Sequence, residues 1–250
     1  MAKKRAVAPG SILNRVKWLG LKILIWFLLA SIGWVLAYKF INPPITLLMV
    51  KRNFERKADG KTFKIEKDWI DYDEISAQLK RAAVASEDQK FPTHHGFDLK
   101  AIDKAYKSNK GGSGKIKGGS TISQQTAKNV FLWPGRSWIR KGFEAYFTVL
   151  IELFWSKERI LEVYLNVIEM GDGIYGAEAA AQNYFGKTCT NLNRSEAALI
   201  IACLPNPLRW TPAKPTTYIR HRQYQIMRSI KQMGPLKLGT QQESKPKNKK

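Results

Sequence analysis

Hydrophobic positions are bunched near one end of this chain and spaced out over the rest. Residues 18–41 read WLGLKILIWFLLASIGWVLAYKFI, and Ile23–Tyr38 within them carry no charge. Lys22 and Lys39 bracket that run and can snorkel toward lipid headgroups. At a rise of ~1.5 Å per residue these 24 positions extend about 36 Å, against a hydrocarbon core of about 30 Å. The pattern predicts a membrane-spanning helix, with Trp18, Trp34 and Tyr38 suited to the interfaces. Lys3, Lys4, Arg5, Arg15 and Lys17 precede it, which predicts a cytoplasmic amino end and the rest of the chain on the far side. A cleaved signal peptide and a buried core helix are the alternatives. Ser31 and Gly33 are small enough to mark a cleavage site, but the apolar run continues past them, longer than a signal's apolar region.

Asn42-Pro43-Pro44 ends this helix, because proline cannot continue it. Residues 42–70 are mixed and charged and read as a juxtamembrane connector. Helical spacing then dominates over 71–235. Ile75, Leu79, Ala82 and Ala83 predict a helix over Asp71–Ser86, and Asp98 is placed to cap one running to Ser108. The glycine- and lysine-rich stretch Lys107–Gly119 has no core face and predicts a mobile loop. A short helix follows at Thr121–Asn129, and then a long, very apolar segment at Trp138–Trp155, capped by Ser137. Ser156 caps another through Asn166. Ile174–Tyr184, Ser195–Leu204 and Thr216–Met233 complete a mainly α pattern with scarce strand signals and no internal repeat. The tail, 236–250, is a basic string whose default reading is disorder.

Charge narrows the partners. The 250 residues hold 42 Lys and Arg against 20 Asp and Glu, a net +22. Residues 1–41 account for +7 as a topology signal and the tail for +4, which leaves +11 on the body. That excess predicts an anionic partner: nucleic acid, a membrane surface or a phosphorylated substrate. With only Cys189 and Cys203, a disulfide-scaffolded mini-protein is excluded. These two read either as a disulfide or as buried free thiols, since Cys203 sits in the apolar run IIACLP.

Four polar constellations interrupt the helical pattern. Glu87–Gly96 places two adjacent carboxylates at a helix end, followed by Phe91, His94, His95 and a glycine. It suits a carboxylate held at the lip of a cleft, although composition alone favours an ordinary surface turn. Adjacent histidines point apart and no ligand partner lies at metal spacing, so zinc is not expected. Gly118–Asn129 opens a helix with Gly119, Ser120, Thr121, Gln124 and Gln125 and continues to Lys128 and Asn129. Free amide hydrogens plus a cation suit an anion. Arg140-Lys141-Gly142-Phe143-Glu144 follows in an apolar stretch, where Arg140 and Glu144 have ion-pair spacing worth a few tenths of a kcal/mol (~0.3) if exposed. Its aromatic neighbours, Phe131, Trp133 and Trp138, are either core or a membrane-dipping element. Lys157–Asn166 and Gly171–Gly176 read mostly as scaffold, with Glu162 and Asn166 on one face. Other matches fail. Gly186-Lys187-Thr188 has Ala181 where a phosphate loop needs glycine, Asp71-Tyr72-Asp73 lacks an alternating β/α context, and Ser244–Lys247 lies in the tail.

In series, these stretches resemble the biosynthetic peptidoglycan glycosyltransferases of glycosyltransferase family 51. The matching patterns are E-D-x-x-F-x-x-H-x-G at Glu87–Gly96, G-x-S-T-I-x-Q-Q-x-x-K-N at Gly118–Asn129 and R-K-x-x-E at Arg140–Glu144. The Lys157–Asn166 block, Ala179–Lys187 and Leu204–Pro207 extend the likeness over about residues 60–230. Lacking a usable acyl-serine motif, the chain looks like the monofunctional members rather than the bifunctional penicillin-binding proteins. The resemblance implies a lysozyme-like glycosyltransferase domain with a small membrane-associated jaw near 107–145, preceded by one transmembrane helix.

It also implies polymerisation of lipid II into β-1,4 glycan strands with release of undecaprenyl diphosphate. The setting would be a bacterial inner membrane, with a cytoplasmic amino terminus and a periplasmic catalytic domain. Glu87 matches the family's catalytic glutamate and Glu144 its second carboxylate. Asp88, Phe91, His94, Gly119, Ser120, Thr121, Gln124, Gln125, Lys128, Asn129, Arg140 and Lys141 match substrate-binding positions. Partners implied are lipid II, the growing glycan, membrane lipids and cell-division or wall-synthesis proteins, not nucleic acid. The family responds to Mg2+ or Mn2+, and no dedicated metal cage or organic cofactor is expected. The rival on the same fold is a lytic transglycosylase or muramidase, which needs one glutamate but no diphosphate-binding cations. A membrane-tethered nucleic-acid-binding protein and a non-enzymatic scaffold are more distant readings.

Overall fold

The computed structural model describes residues 9–110 and 119–238. The expected basic amino-terminal segment and tail lie partly outside those residues, as do Gly118 and most of the expected 107–119 loop. The first unit is one helix, α1 (Pro9–Phe40). Its stretch Asn14–Phe40 is long and apolar enough to cross a membrane, and Trp18, Trp26 and Phe40 project outward from it. Apolar residues all round a helix call for an apolar medium.

The second unit begins at Asn42. The stretch expected to be a connector contains a helix, α2 (Leu47–Ala58), whose first turn is capped by the Thr46 hydroxyl accepting from Met49 N–H at 3.3 Å. It escaped the hydrophobic pattern because it buries only Met49 and Asn53, while Lys51–Glu55 and Arg52–Glu55 pairs decorate its polar side. After α2 the chain runs extended. Glu66 N–H donates to Gly173 O, and Tyr175 N–H donates to Glu66 O, each at 2.8 Å. Buried Asn166 then accepts from Ile70 N–H and donates to Ile70 O, both at 2.9 Å, which satisfies a buried backbone segment that no strand pairs.

Two groups of helices carry the rest. α3 (Ala77–Glu87) packs on α9 (Arg194–Cys203) and α10 (Thr217–Met233), and α5 (Ile122–Phe131) packs on α6 (Trp138–Phe154) and α7 (Lys157–Val167). Ser76, Ser137, Ser156 and Thr216 each accept a helix N-terminal amide, a contact worth about 1 kcal/mol apiece. Alanines dominate the α3 core face (Ala82, Ala83, Ala85), which permits close approach of α9. The helix expected over Asp71–Ser86 is interrupted: Tyr72–Glu74 form a single 3-10 turn, and the chain extends at Ile75–Ser76 before α3. The serine hydroxyl there donates to Leu192 O at 2.9 Å and ties the break to the α9 side.

α4 (Leu99–Lys110) is capped by Asp98, which accepts from Ala101 N–H at 3.1 Å, and it takes in the start of the stretch expected to be a loop. The helix expected over Ile174–Tyr184 starts late. Residues β1 (Glu169–Gly171) and β2 (Ile174–Tyr175) form an antiparallel hairpin, and α8 (Ala177–Phe185) follows. The hairpin turns on Asp172-Gly173, with Gly173 at φ +75°, where a side chain would be strained. Cys189 and Cys203 are both buried and free, which decides between disulfide and thiol.

Candidate active site

Glu87 is the last residue of α3, and the chain leaves the helix at Asp88. That exit is held from below. The Asp88 carboxylate accepts from Ile122 N–H at 3.0 Å, so it caps the start of α5. His94 Nε2 lies 3.0 and 2.9 Å from the two Asp88 oxygens. Gly96 N–H donates to His94 Nδ1 at 3.0 Å, which places the proton of a neutral ring on Nε2, facing Asp88. The Lys157 ammonium donates to His94 O at 2.7 Å and Glu152 Oε1 at 2.8 Å, and sits 4.6 Å from the centre of the Phe91 ring. Ser123 donates to the same Glu152 oxygen.

Part of the expected substrate-binding set is also engaged in internal packing and hydrogen bonds. Phe91 is fully buried, and the Asp88 and His94 side chains are almost fully buried and spend their polar atoms on each other and on α5. Thr121 and Gln124 are likewise buried. They form a reciprocal cap, with the Thr121 hydroxyl accepting from Gln124 N–H at 3.2 Å and Gln124 Oε1 accepting from Thr121 N–H at 3.0 Å. All five help to position the site, and Asp88 and Thr121 also line the smaller of the two cavities beside it.

What they position is Glu87. Its Oε2 accepts from Gln125 Nε2 at 3.1 Å and its Oε1 from the Ser86 hydroxyl at 3.3 Å. Tyr164, buried in α7, directs its hydroxyl at Gln125 Oε1 from 3.5 Å. Burial among Glu87 and Asp88 pushes the Tyr164 phenol well above its ordinary value, so it remains a donor. The carboxylate and its amide partner separate two cavities. The smaller, about 260 Å³, is lined by Glu87, Asp88, Lys90, Gly119, Ser120 and Thr121, among others. The larger, about 560 Å³, is lined by Gln125, Lys128, Asn129, Arg140 and Tyr164, among others.

The expected cations converge on the larger cavity's side. Lys128 on α5 is depressed below the usual lysine range by burial; Glu144 and Glu87 oppose that shift, while Arg140 and Lys141 reinforce it. Glu144 is buried, so the ion pair that its spacing suggested is not an exposed one. Its closest partner is Lys141, with Arg140 Nη1 at 4.0 Å. Arg140 Nε is buried with no hydrogen-bond partner among the described residues, a donor available to a ligand anion. One buried acid therefore faces three cations, and the cluster stays net positive.

Pattern reasoning missed the α2 contribution. Lys51 and Arg52 also line the large cavity, with Arg52 Nε held 3.1 Å from Glu169 Oε2. Burial raises the Glu169 carboxyl above its ordinary value, against the pull of Arg52. Thr46 after two prolines, followed by Lys51 and Glu55 four apart, was the available signal. No group of three or more His, Cys, Asp or Glu among the described residues is placed to hold a metal ion.

The profile of the transglycosylase family matches residues 56–231, the span that contains every one of these side chains except Lys51 and Arg52. The chain belongs to that family. Among its relatives, a biosynthetic peptidoglycan transglycosylase of Pseudomonas fluorescens is 50% identical over 213 residues, covering 85% of this chain and 88% of the relative. A protein of the same description from Pseudomonas entomophila is 48% identical over 225 residues, 90% of this chain and 93% of its own. One from Xanthomonas axonopodis pv. citri is 49% identical over 232 residues, 92% and 94% respectively. Family membership thus covers the whole helical domain from the end of α2 to α10.

Proposed function

We propose that this chain is a membrane-anchored peptidoglycan glycosyltransferase. It polymerises lipid II into β-1,4 glycan strands and releases undecaprenyl diphosphate. The observation that carries this reading is the placement of Glu87, held by Gln125 between two cavities, one of which is bordered by Lys128 and Arg140. A sugar hydroxyl is a weak nucleophile, and Glu87 accepts its proton as the oxygen attacks the anomeric carbon. The bonding pair of the broken C–O bond goes to the diphosphate, which leaves as a stable anion. It needs positive charge rather than a proton, and Lys128 and Arg140 supply it, with Lys141 and Glu144 fixing the cluster's net charge. In-line attack inverts the anomeric centre and gives the β linkage. A glycoside hydrolase would instead need an acid for an alcohol leaving group, which cations do not replace.

A divalent ion, Mg2+ or Mn2+, would arrive with the diphosphate rather than in a cage of protein acids. Anchoring by α1, with the amino end cytoplasmic, keeps the domain beside its lipid-linked substrate. The test is Glu87→Gln in the full chain in detergent, assayed with lipid II and, separately, with finished peptidoglycan. Loss of nearly all polymerisation with lipid II binding retained is expected. Near-wild-type polymerisation, or cleavage of finished peptidoglycan in its place, sinks the proposal.

A further inference from the structure

A third cavity of about 340 Å³ lies beside the larger of the two already described, and Pro207 lines both. The same three chain segments wall the two in the same order. α2 gives Arg52 to the first and Arg56, one turn on, to the second. The hairpin gives Glu169 to the first and Asp172 to the second. The segment after α9 gives Leu204 to the first and Leu208–Thr211 to the second. A linear molecule that leaves the Lys128–Arg140 region over Pro207 therefore runs directly into this groove.

Its chemistry is that of a carbohydrate site. Half-buried Trp210 and Tyr184 offer ring surfaces, against which the apolar faces of pyranose rings pack. Trp210 is braced by Tyr218, with ring centres 5.4 Å apart, and the Tyr184 hydroxyl is fixed by donation to Met170 O at 3.1 Å. Gly171 has to be glycine for that, since a Cβ there would meet the Tyr184 oxygen at 2.0 Å. Around the rings stand polar groups for hydroxyls: Asp172, itself held by Arg56 at 2.5 Å, and Thr211. Exposed Arg209 has no carboxylate partner among the described residues, so its fork is available to an acidic substituent on the sugar chain.

We propose that this groove is an accessory subsite that holds the already polymerised glycan, with Arg209 taking a carboxylate of its peptide substituents. The inference rests on the polymerase reading for its choice of glycan. None of these residues touches the reacting bond. The groove acts by retaining the strand between additions, so it governs how long strands become.

The experiment measures binding of uncrosslinked, lipid-free glycan strands to the full chain in detergent, beside a disaccharide-peptide too short to span both cavities. Product strand length from lipid II is read in parallel. Arg209→Glu and Trp210→Ala should each weaken binding of long strands by about tenfold, affect the disaccharide-peptide far less, and shorten the product strands. Arg209 is exposed, so its variant folds even if Trp210→Ala does not, and Trp210→Phe retains the ring. Unchanged long-strand affinity in Arg209→Glu overturns the proposal. So does an equal loss for short and long ligands. If wild-type protein fails to polymerise lipid II, the polymerase reading falls, while strand binding and its dependence on Arg209 still decide this one.

Discussion

Replacing Gln125 by alanine isolates the contact that holds the proposed base. Gln125 Nε2 donates to Glu87 Oε2 at 3.1 Å in a partly buried setting. A hydrogen bond to an ionised group contributes about 1.5–3 kcal/mol. If that amount is realised in the transition state, the rate falls by about tenfold to about 150-fold, since each ~1.4 kcal/mol is a factor of ten. The fold should hardly notice. Position 125 is half-exposed, alanine is the better helix former, and the amide's remaining contact, to Tyr164, is long at 3.5 Å. The assay is initial polymerisation rate against lipid II concentration, with thermal melting of the same preparation. The loss should fall on kcat rather than KM, because the amide orients a group that acts on the reacting hydroxyl. A rate within about threefold of wild type, or a loss that tracks a lowered melting temperature, would refute the reasoning.

Three further outcomes follow from local physics. Burial depresses Lys128, so its ammonium is present below that lowered pKa and is lost as pH rises through it, earlier than for an exposed lysine. Polymerisation should therefore fall on the alkaline side, and Lys128→Arg should move that fall to higher pH; coincident normalised profiles would refute the role. Gly176 sits at φ +83° with its would-be Cβ 2.7 Å from the Asn166 carbonyl oxygen, whereas Gly186 at φ +63° has open space. Gly176→Ala should cost about 2–4 kcal/mol, roughly 5–15 °C of melting temperature, and Gly186→Ala only the backbone strain of about 1–2 kcal/mol. Equal shifts would discount the clash. Burial pushes the Cys189 and Cys203 thiols to about 11, so both should resist alkylation in native protein at neutral pH and react on denaturation. Rapid native labelling would contradict their placement.

Helix positions were legible wherever a capping side chain met a wide apolar stripe, as at Ser137, Ser156 and Thr216. They were illegible where tertiary pairing made the structure. The β1–β2 hairpin is too short to alternate, and its Asp172-Gly173 turn was the one local cue. α2 buries too narrow a face to show periodicity. Within the site, the motif spacing marked residues that the fold does bring together, but it could not sort them. Asp88 and His94 look as reactive as Glu87 in a sequence. Only the α5 amide of Ile122 and the N–H of Gly96, both remote in pattern terms, reveal that they are spent internally. Glu144 shows the converse, since burial turned an apparent surface pair into a buried charge that its cations must neutralise.

The ten residues of α5 have a consequence for inhibition. Ile122, Ser123, Gln124, Thr126, Ala127, Val130 and Phe131 are buried, and the other three, Gln125, Lys128 and Asn129, line the large cavity. No position on this helix is idle surface. A compound that rests against it meets side chains whose replacement damages either the packing or the reaction, so escape by substitution along this element is closed. Resistance would have to arise elsewhere on the cavity lining, where Lys51, Arg136 and Trp133 are exposed.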